Sequence, residues 1–398
     1  MTSEWNHFAL GEITELVIDY RGKTPKKLGG DWCKQGYRAL SAKNIKTGRI
    51  VQAETIRYID ESLYRKWMKD EVQRGDILIT SEAPFGQIFF WDSDEKIVLS
   101  QRLFCVRIKP EYDARFIYYY MTTPEFQSEL DGRATGTTVI GLRQPELMKC
   151  IIRCPEIQEQ KVIAAILSSI DAKIIANEKV NDNLYEIVNA YYTSLFKDVE
   201  CEMTTIGNYA ERIYSGGTPT TSNAAYWDGT FGWFSSGETR NRFVISTEKS
   251  ITQTGIDNSS TKLASKHDIV MASAGQGFTR GQTSMLLIDT YVNQSVIVIH
   301  ADRNILPYLF WNLANRYEEL RAISDSSSIR GSLTTKMIAA FEIPCANNDV
   351  IQTFSGFAWA VIPQIENNLL ENERLAALRD SLLPKLMTGE IDVSAIQL

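Results

Sequence analysis

Glu156, Glu159 and Lys161 in the string PEIQEQK (155–161) are the nearest approach this chain makes to a nuclease-like carboxylate set. Carboxylates of that kind hold magnesium in phosphoryl chemistry. Their setting points to something plainer, because a proline followed by acids opens a helix, where acids favour the positive end of the dipole. His7, His267 and His300 stand in no metal-ligand or triad spacing. No G-x-x-x-x-G-K-[ST] loop is present to cradle phosphates, which argues against ATP hydrolysis. The glycines of SAGQGFTRG (273–281) lack the spacing and the following helix of a dinucleotide fingerprint. The Asn/Asp-Pro-Pro-aromatic string of amino-directed DNA methyltransferases is also missing. Six cysteines, at 33, 105, 150, 154, 201 and 345, fit neither a disulfide framework nor paired zinc spacing. Cys150 and Cys154 bracket an apolar run and read as a buried strand. These residues predict a non-catalytic chain with no metal and no cofactor of its own.

Chemistry of another kind is open to cations, amides and aromatics crowded into polar loops. Lys23, Lys26, Lys27, Lys34, Arg38, Lys43, Lys46 and Arg49 fall close together beside Trp32, Tyr37 and Asn44. In the second half Arg240, Arg242 and Arg280 accompany Trp227, Trp233 and Asn241. Any one lysine reads as solvated surface, but such groups together grip phosphates and read base edges. The net charge of −7 is unusual for a nucleic-acid binder, whose footprint is basic. Its distribution resolves the conflict: residues 1–155 carry +2, 156–198 carry −3, 199–345 carry −2 and 346–398 carry −4. The deficit lies in the two connectors. The residues expected to face DNA are Lys23, Thr24, Arg38, Ser41, Lys43, Asn44, Ser81, Gln101, Arg133, Thr137 and Thr138 in the first half. In the second they are Thr218, Thr220, Ser235, Ser236, Arg240, Asn241, Ser273, Gln276, Arg280, Ser327 and Arg330.

The elements that must carry these loops occur twice. YRGKTP (20–25) returns as YSGGTP (214–219), GDILI (75–79) as HDIVM (267–271), and Ser100-Gln101 before LFCVRI as Asn293-Gln294 before SVIVI. IIRCP (151–155) answers FEIP (341–344). The Gly-x-Thr-Pro turn is expected to use glycine at positive φ and proline at a fixed φ. The connectors match more closely still. Ile163, Ile166, Ile170, Ile174, Asn177, Val180, Leu184, Ile187 and Tyr191 form a stripe at steps of 3 and 4, the seam of a long amphipathic helix. Adding 191 gives Phe354, Phe357, Val361, Ile365, Asn368, Glu371, Leu375, Leu378 and Leu382. Two matched stripes predict that the helices pack on each other antiparallel, with Asn177 and Asn368 facing across the seam. Pro363 is expected to kink the second helix, and Pro384 to mark its fraying end.

The expected organisation is α+β: globular domains at 1–155 and 199–345, each followed by a helical connector, at 156–198 and 346–398. No apolar run approaches a membrane span, and MTSEWNHFAL lacks the pattern of a secretory signal, so a cytoplasmic location is expected.

At this point the chain resembles the specificity subunits of type I restriction–modification systems. GKTP and GGTP, GDIL and HDIV, CPEIQEQKVIAAIL at the first helix and LRDSLLPKLMTGEI (378–391) carry the resemblance. ANNDVIQTFSGFAWAVIP departs from the family's usual entry into the second helix. The resemblance implies two target-recognition domains separated by two long antiparallel helices in a pseudo-two-fold tandem repeat. It implies a bipartite, asymmetric target in double-stranded DNA. It also implies two modification subunits bound through the helices and restriction subunits beyond them, with S-adenosylmethionine, ATP and magnesium belonging to those partners. The other open reading is a two-headed scaffold for protein or glycan.

Overall fold

The structure, a computed structural model, describes residues 5–136, 140–197, 202–275, 279–326, 331–394 and 396. It divides into two compact units, residues 1–173 with 375–398 and residues 174–374. Each unit holds one globular segment and a length of each of two 40-residue helices, Ile157–Phe196 and Asn348–Met387.

In the first unit a four-stranded antiparallel sheet runs in the order Thr14–Asp19, Leu103–Ile108, Ile77–Thr80, Ile88–Phe90. Its two central strands, Leu103–Ile108 and Ile77–Thr80, are mostly apolar and buried because both faces of the sheet are covered there. Ile77, Ile79, Phe104 and Val106 enter one core with the helix Ala114–Met121 and with Val162, Ile163 and Leu167 of the first long helix. Leu78, Leu103 and Cys105 enter the opposite core, which is shared with Trp67 and a smaller sheet. That sheet sets Tyr37–Leu40 between Arg57–Ile59, antiparallel, and Ile97–Leu99, parallel. Ile151–Cys154 is a strand, as its apolar run predicts, and pairs with Asn6–Ala9. Burial pushes the thiols of Cys150 and Cys154 up to about 12, which leaves them inert as nucleophiles. The string PEIQEQK opens the first long helix, with Glu159 in its first turn. Buried Gln160 accepts from the backbone N–H of Asp113 at 2.9 Å and donates to the Pro155 carbonyl at 2.8 Å.

The second unit repeats this plan. Ala210–Ser215, Val296–Ala301, Ile269–Ala272 and Thr283–Leu286 follow the same order, with Phe243–Val244 added at the edge. Ile269, Met271, Ile297 and Ile299 face one core, while Val270, Val296 and Val298 face the other. The smaller sheet again sets its first strand, Trp227–Phe234, between an antiparallel neighbour, Lys249–Ile251, and a parallel one, Thr290–Val292. A parallel pair flanked by an antiparallel strand is an uncommon arrangement to find twice by accident. It carries the tandem repeat from sequence into topology.

Within the second unit the two long helices run antiparallel. Asn177 bonds Asn372, Asn181 bonds Asn368, and Tyr191 packs on Phe354 and Phe357. Pro363 does not interrupt the second helix, which is continuous through it and through Pro384. Its ring faces solvent while Ile362 and Ile365 are buried on either side, so packing outweighs one lost backbone bond. The expected stripe needs revision. Val180, Ile187, Phe357 and Leu378 are exposed, whereas Tyr185, Val188, Tyr192 and Phe196 are buried. Beyond Asn177 the first helix turns toward the aromatic core of the second globular segment, where Tyr185 stacks on Trp311 at 5.7 Å. Asn177 and Asn368 also take partners other than the facing ones expected: the amide bonds run crosswise, one helical turn further along each helix.

Candidate nucleic-acid interface

The smaller sheet of each unit positions the candidate loops. In the first unit the parallel strands Tyr37–Leu40 and Ile97–Leu99 end together, and both chains then turn. Ser41 starts a short 3-10 turn closed by Asn44, whose Oδ1 accepts from the Ser41 backbone N–H at 3.1 Å and from its hydroxyl at 2.8 Å. The Asn44 amide donates onward to the Gln52 carbonyl at 3.2 Å and the Thr55 hydroxyl at 3.0 Å. The partner turn, Ser100-Gln101-Arg102, holds Arg102 at φ 65°, in the left-handed region. Between the two turns lies a concavity of about 260 Å³ lined by Trp32, Ser41, Lys43, Arg57, Gln101 and Arg102, among others. The Arg57 guanidinium lies 5.2 Å from the Trp32 ring centre, and Arg102 reaches Glu82 at 3.1 Å. Lys43, Arg57 and Gln101 are exposed. A concave surface with three cations, an amide and an indole can grip phosphate oxygens and stack or bond a base.

The second unit rebuilds the arrangement with different residues. Ser235 caps a turn closed by buried Glu238, which accepts from the Ser235 N–H at 2.8 Å and the Glu248 N–H at 2.9 Å. Glu238 thus does the work of Asn44. Trp233 stands opposite Lys249 in the sheet as Ala39 stands opposite Arg57. The Lys249 ammonium lies 5.6 Å from the Trp227 ring centre, repeating the Trp32–Arg57 contact. Thr218 donates to the Gln294 side chain, tying the YSGGTP turn to the counterpart of Gln101. The glycines of that turn serve close approach, not positive φ: a Cβ on Gly216 would lie 1.9 Å from the Val292 carbonyl oxygen. Gly22, in the first copy, has open space around it.

Several expected residues are turned to other uses. The Lys23 ammonium donates to the Trp67 carbonyl at 2.5 Å and sits 3.7 Å from the Tyr20 ring centre; burial, helped by nearby Lys69, lowers its pKa. Arg38 forms a two-pronged pair with Glu95. Ser81 and Ser273 are buried, and Asn44 is 1% exposed with its amide fully used. Arg133 pairs with Glu129 on its own helix. Arg280 donates to Asp325 at 2.6 Å and to the Gly331 carbonyl, which holds it inside the fold. Arg240 pairs with Glu248 while staying exposed. Thr24 accepts from the Lys27 N–H at 3.3 Å, Ser236 gives its carbonyl to Thr239, and Thr220 and Asn241 are exposed. Thr137, Thr138, Gln276, Ser327 and Arg330 lie outside the described residues. The set that meets in the first concavity is therefore Ser41, Lys43 and Gln101, joined by Arg57 and Arg102, which the loop-based reading missed. The signal lay in the repeat: Arg57 and Lys249 hold the same strand position opposite the first strand of each small sheet.

The Asn44 geometry makes a prediction that separates folding from binding. Asn44→Ala strips a buried turn of its partners and should cost about 1–3 kcal/mol in urea unfolding. Arg38→Ala removes only a half-exposed ion pair and should cost less than about 1 kcal/mol. Equal costs would contradict this assignment.

The family model described as type I restriction modification DNA specificity domain matches residues 2–185 and 199–349. The chain belongs to that family. The two matches coincide with the two copies of the sheet plan, so each copy is one specificity domain. The chain is 28% identical over 187 residues to the type I restriction enzyme MjaVIII specificity subunit of Methanocaldococcus jannaschii, covering 46% of this chain and 43% of that protein. It is 26% identical over 246 residues to the EcoR124I/EcoR124II specificity subunit of Escherichia coli, covering 58% and 59%. These alignments span about half the length of those relatives. A crystal structure of the type I restriction–modification S subunit from M. genitalium shares the fold with a TM-score of 0.59 at 16% identity, over 96% of both chains. No helix among the described residues is long and apolar enough to cross a membrane.

Proposed function

We propose that this chain is the sequence-reading subunit of a type I restriction–modification complex, with each specificity domain reading one short sequence of double-stranded DNA. The observation that carries the reading is the duplicated arrangement of an indole beside a cation, Trp32 with Arg57 and Trp227 with Lys249, each beside a capped turn at the end of a parallel strand pair. Exposed residues that differ between the copies, Lys43 and Arg57 against Gly237 and Lys249, support two different half-sequences and hence an asymmetric target. Methyl transfer and cleavage belong to partner subunits in the cytoplasm, together with S-adenosylmethionine, ATP and magnesium. Two modification subunits dock on the long helices, whose exposed Ile175, Ile187 and Leu378 support an apolar contact. Fluorescence anisotropy with random duplexes and the modification partner tests the reading. Binding should weaken steeply between low and moderate salt, because phosphate contacts release counterions. Salt-independent or absent binding would contradict it.

The helices are expected to act as a spacer between the half-sequences. A four-residue insertion near Asn177, matched by one near Asn368, lengthens each helix by about 6 Å. At ~3.4 Å per base pair, the gap in the methylated motif should grow by roughly one to two pairs with both half-sequences unchanged. An unchanged gap would remove the spacer role.

A further inference from the structure

We infer that Asn177, Asn181, Asn368 and Asn372 form a register key: four positioning residues that allow one alignment of the long helices and thereby one gap between the DNA half-sequences. The gap rests on the function proposed above, while the key itself stands on geometry. Asn177 donates to Asn372 Oδ1 at 2.8 Å and to Glu371 Oε2 at 2.7 Å, and Asn368 donates to Asn181 Oδ1 at 2.7 Å. Asn181 and Asn372 each donate in turn to a backbone carbonyl, of Ile365 and Ile174 respectively, at 3.4 Å. Adding 191 converts Asn177 to Asn368, Asn181 to Asn372 and Ile174 to Ile365, so the two amide–amide bonds and the two amide–carbonyl bonds map onto each other, while Val180 stands where a mate for Glu371 would be. The pseudo-two-fold axis passes midway between the two asparagines of each helix. Asn177 and Asn368 are 4% and 7% exposed.

Tyr191 on Phe354 and Phe357 ties one end of the pair, but around Asn177 the aliphatic contacts alone do not single out a register. Isoleucine and leucine at steps of 3 and 4 pack as well after a slip of seven residues, a shift of about 10 Å. The asparagines remove that freedom. In one such slip Asn177 meets Ile365, Asn181 meets Val361 and Asn368 meets Ile174, so that two buried amides and a half-buried one lose their partners together. Unpaired buried amides are costly, whereas the same positions filled by leucine carry no such penalty. The cluster therefore trades stability for a single alignment.

The test places spin labels at Asn183→Cys and Asn367→Cys, both exposed and nearly opposite in the observed register, in the full chain, with Cys33, Cys201 and Cys345 replaced by serine. The parent should give one narrow distance. The variant with all four asparagines changed to leucine should melt at or above the parent temperature and show a second, longer distance from the heptad slip. With the modification partner, its methylated motif should gain a second gap differing by about three base pairs, with the half-sequences unchanged. A single narrow distance in the leucine variant would overturn the key. A split distance with one unchanged gap would overturn its link to DNA spacing. Should the fourfold variant not fold, Asn181→Leu with Asn368→Leu carries the test, and a second distance must appear there. A parent complex that methylates no two-part motif would overturn the proposed function and leave the distance measurement to judge the key alone.

Discussion

Lys43→Ala, Arg57→Ala and Arg102→Ala together are expected to weaken DNA binding by the assembled complex about 10²–10³-fold. The figure takes about 1–1.5 kcal/mol for each charged contact. These three cations line the first concavity from three separate segments, so no single local rearrangement replaces them. If all three meet phosphates, the slope of log affinity against log salt should fall by roughly two to three. Their side chains are exposed or at the surface, and Arg102 loses only a half-exposed pair with Glu82, so the unfolding midpoint should hardly move. Filter binding at several salt concentrations, run beside urea unfolding, separates the two effects. Unchanged affinity with an unchanged fold would remove the concavity from the DNA surface. Lys23→Ala makes the contrast: its ammonium is already committed to Trp67 and Tyr20, so the salt slope should stay where it is.

Arg107→Ala is expected to destabilise the first unit by about 3–5 kcal/mol, as much as truncating a core aromatic. Asp76, the aspartate of GDIL, is 1% exposed. It accepts from Arg107 Nε and Nη2, both at 2.9 Å, and from the Gln73 N–H at 2.8 Å. Removing Arg107 leaves that carboxylate buried without its counter-ion. The paired change Asp76→Asn with Arg107→Leu removes the stranded charge and should recover much of the loss. A urea-unfolding double-mutant cycle reads the coupling directly. A cost below 1 kcal/mol for Arg107→Ala would show that Asp76 finds other solvation. The second unit keeps the device with a different base: Asp268 of HDIV, also buried, lies 2.6 Å from His300 Nδ1. The repeat thus conserves a buried acid with a basic partner on the neighbouring strand while changing the partner's identity.

The duplication, the strand runs and the two long helices could be read from the chain because each rests on local periodicity. GDILI and HDIVM mark a buried strand by composition alone, and the 3-and-4 stripes mark helices long enough to outlast Pro363. Register could not be read in the same way. A stripe fixes which face is apolar but not which residue lies across from which, and so Asn177 meets Asn372 instead of Asn368. The DNA-facing residues were the least legible part, for a related reason. Whether a cation is free depends on what the fold brings opposite it: Glu95 for Arg38, Asp325 for Arg280, the Trp67 carbonyl for Lys23. None of these partners is near in sequence. Arg57 looks like an ordinary strand residue until Lys249 is found in its place in the other copy.

Methylome sequencing of cells that express this chain with its cognate modification subunit tests the central claim most directly. The account predicts a two-part motif in which two different short sequences are separated by a fixed, unspecified gap. Exchanging residues 199–345 for the corresponding domain of a relative should then change one half-sequence and leave the other untouched. A contiguous motif, or the loss of both halves on that exchange, would contradict a chain built from two independent DNA readers.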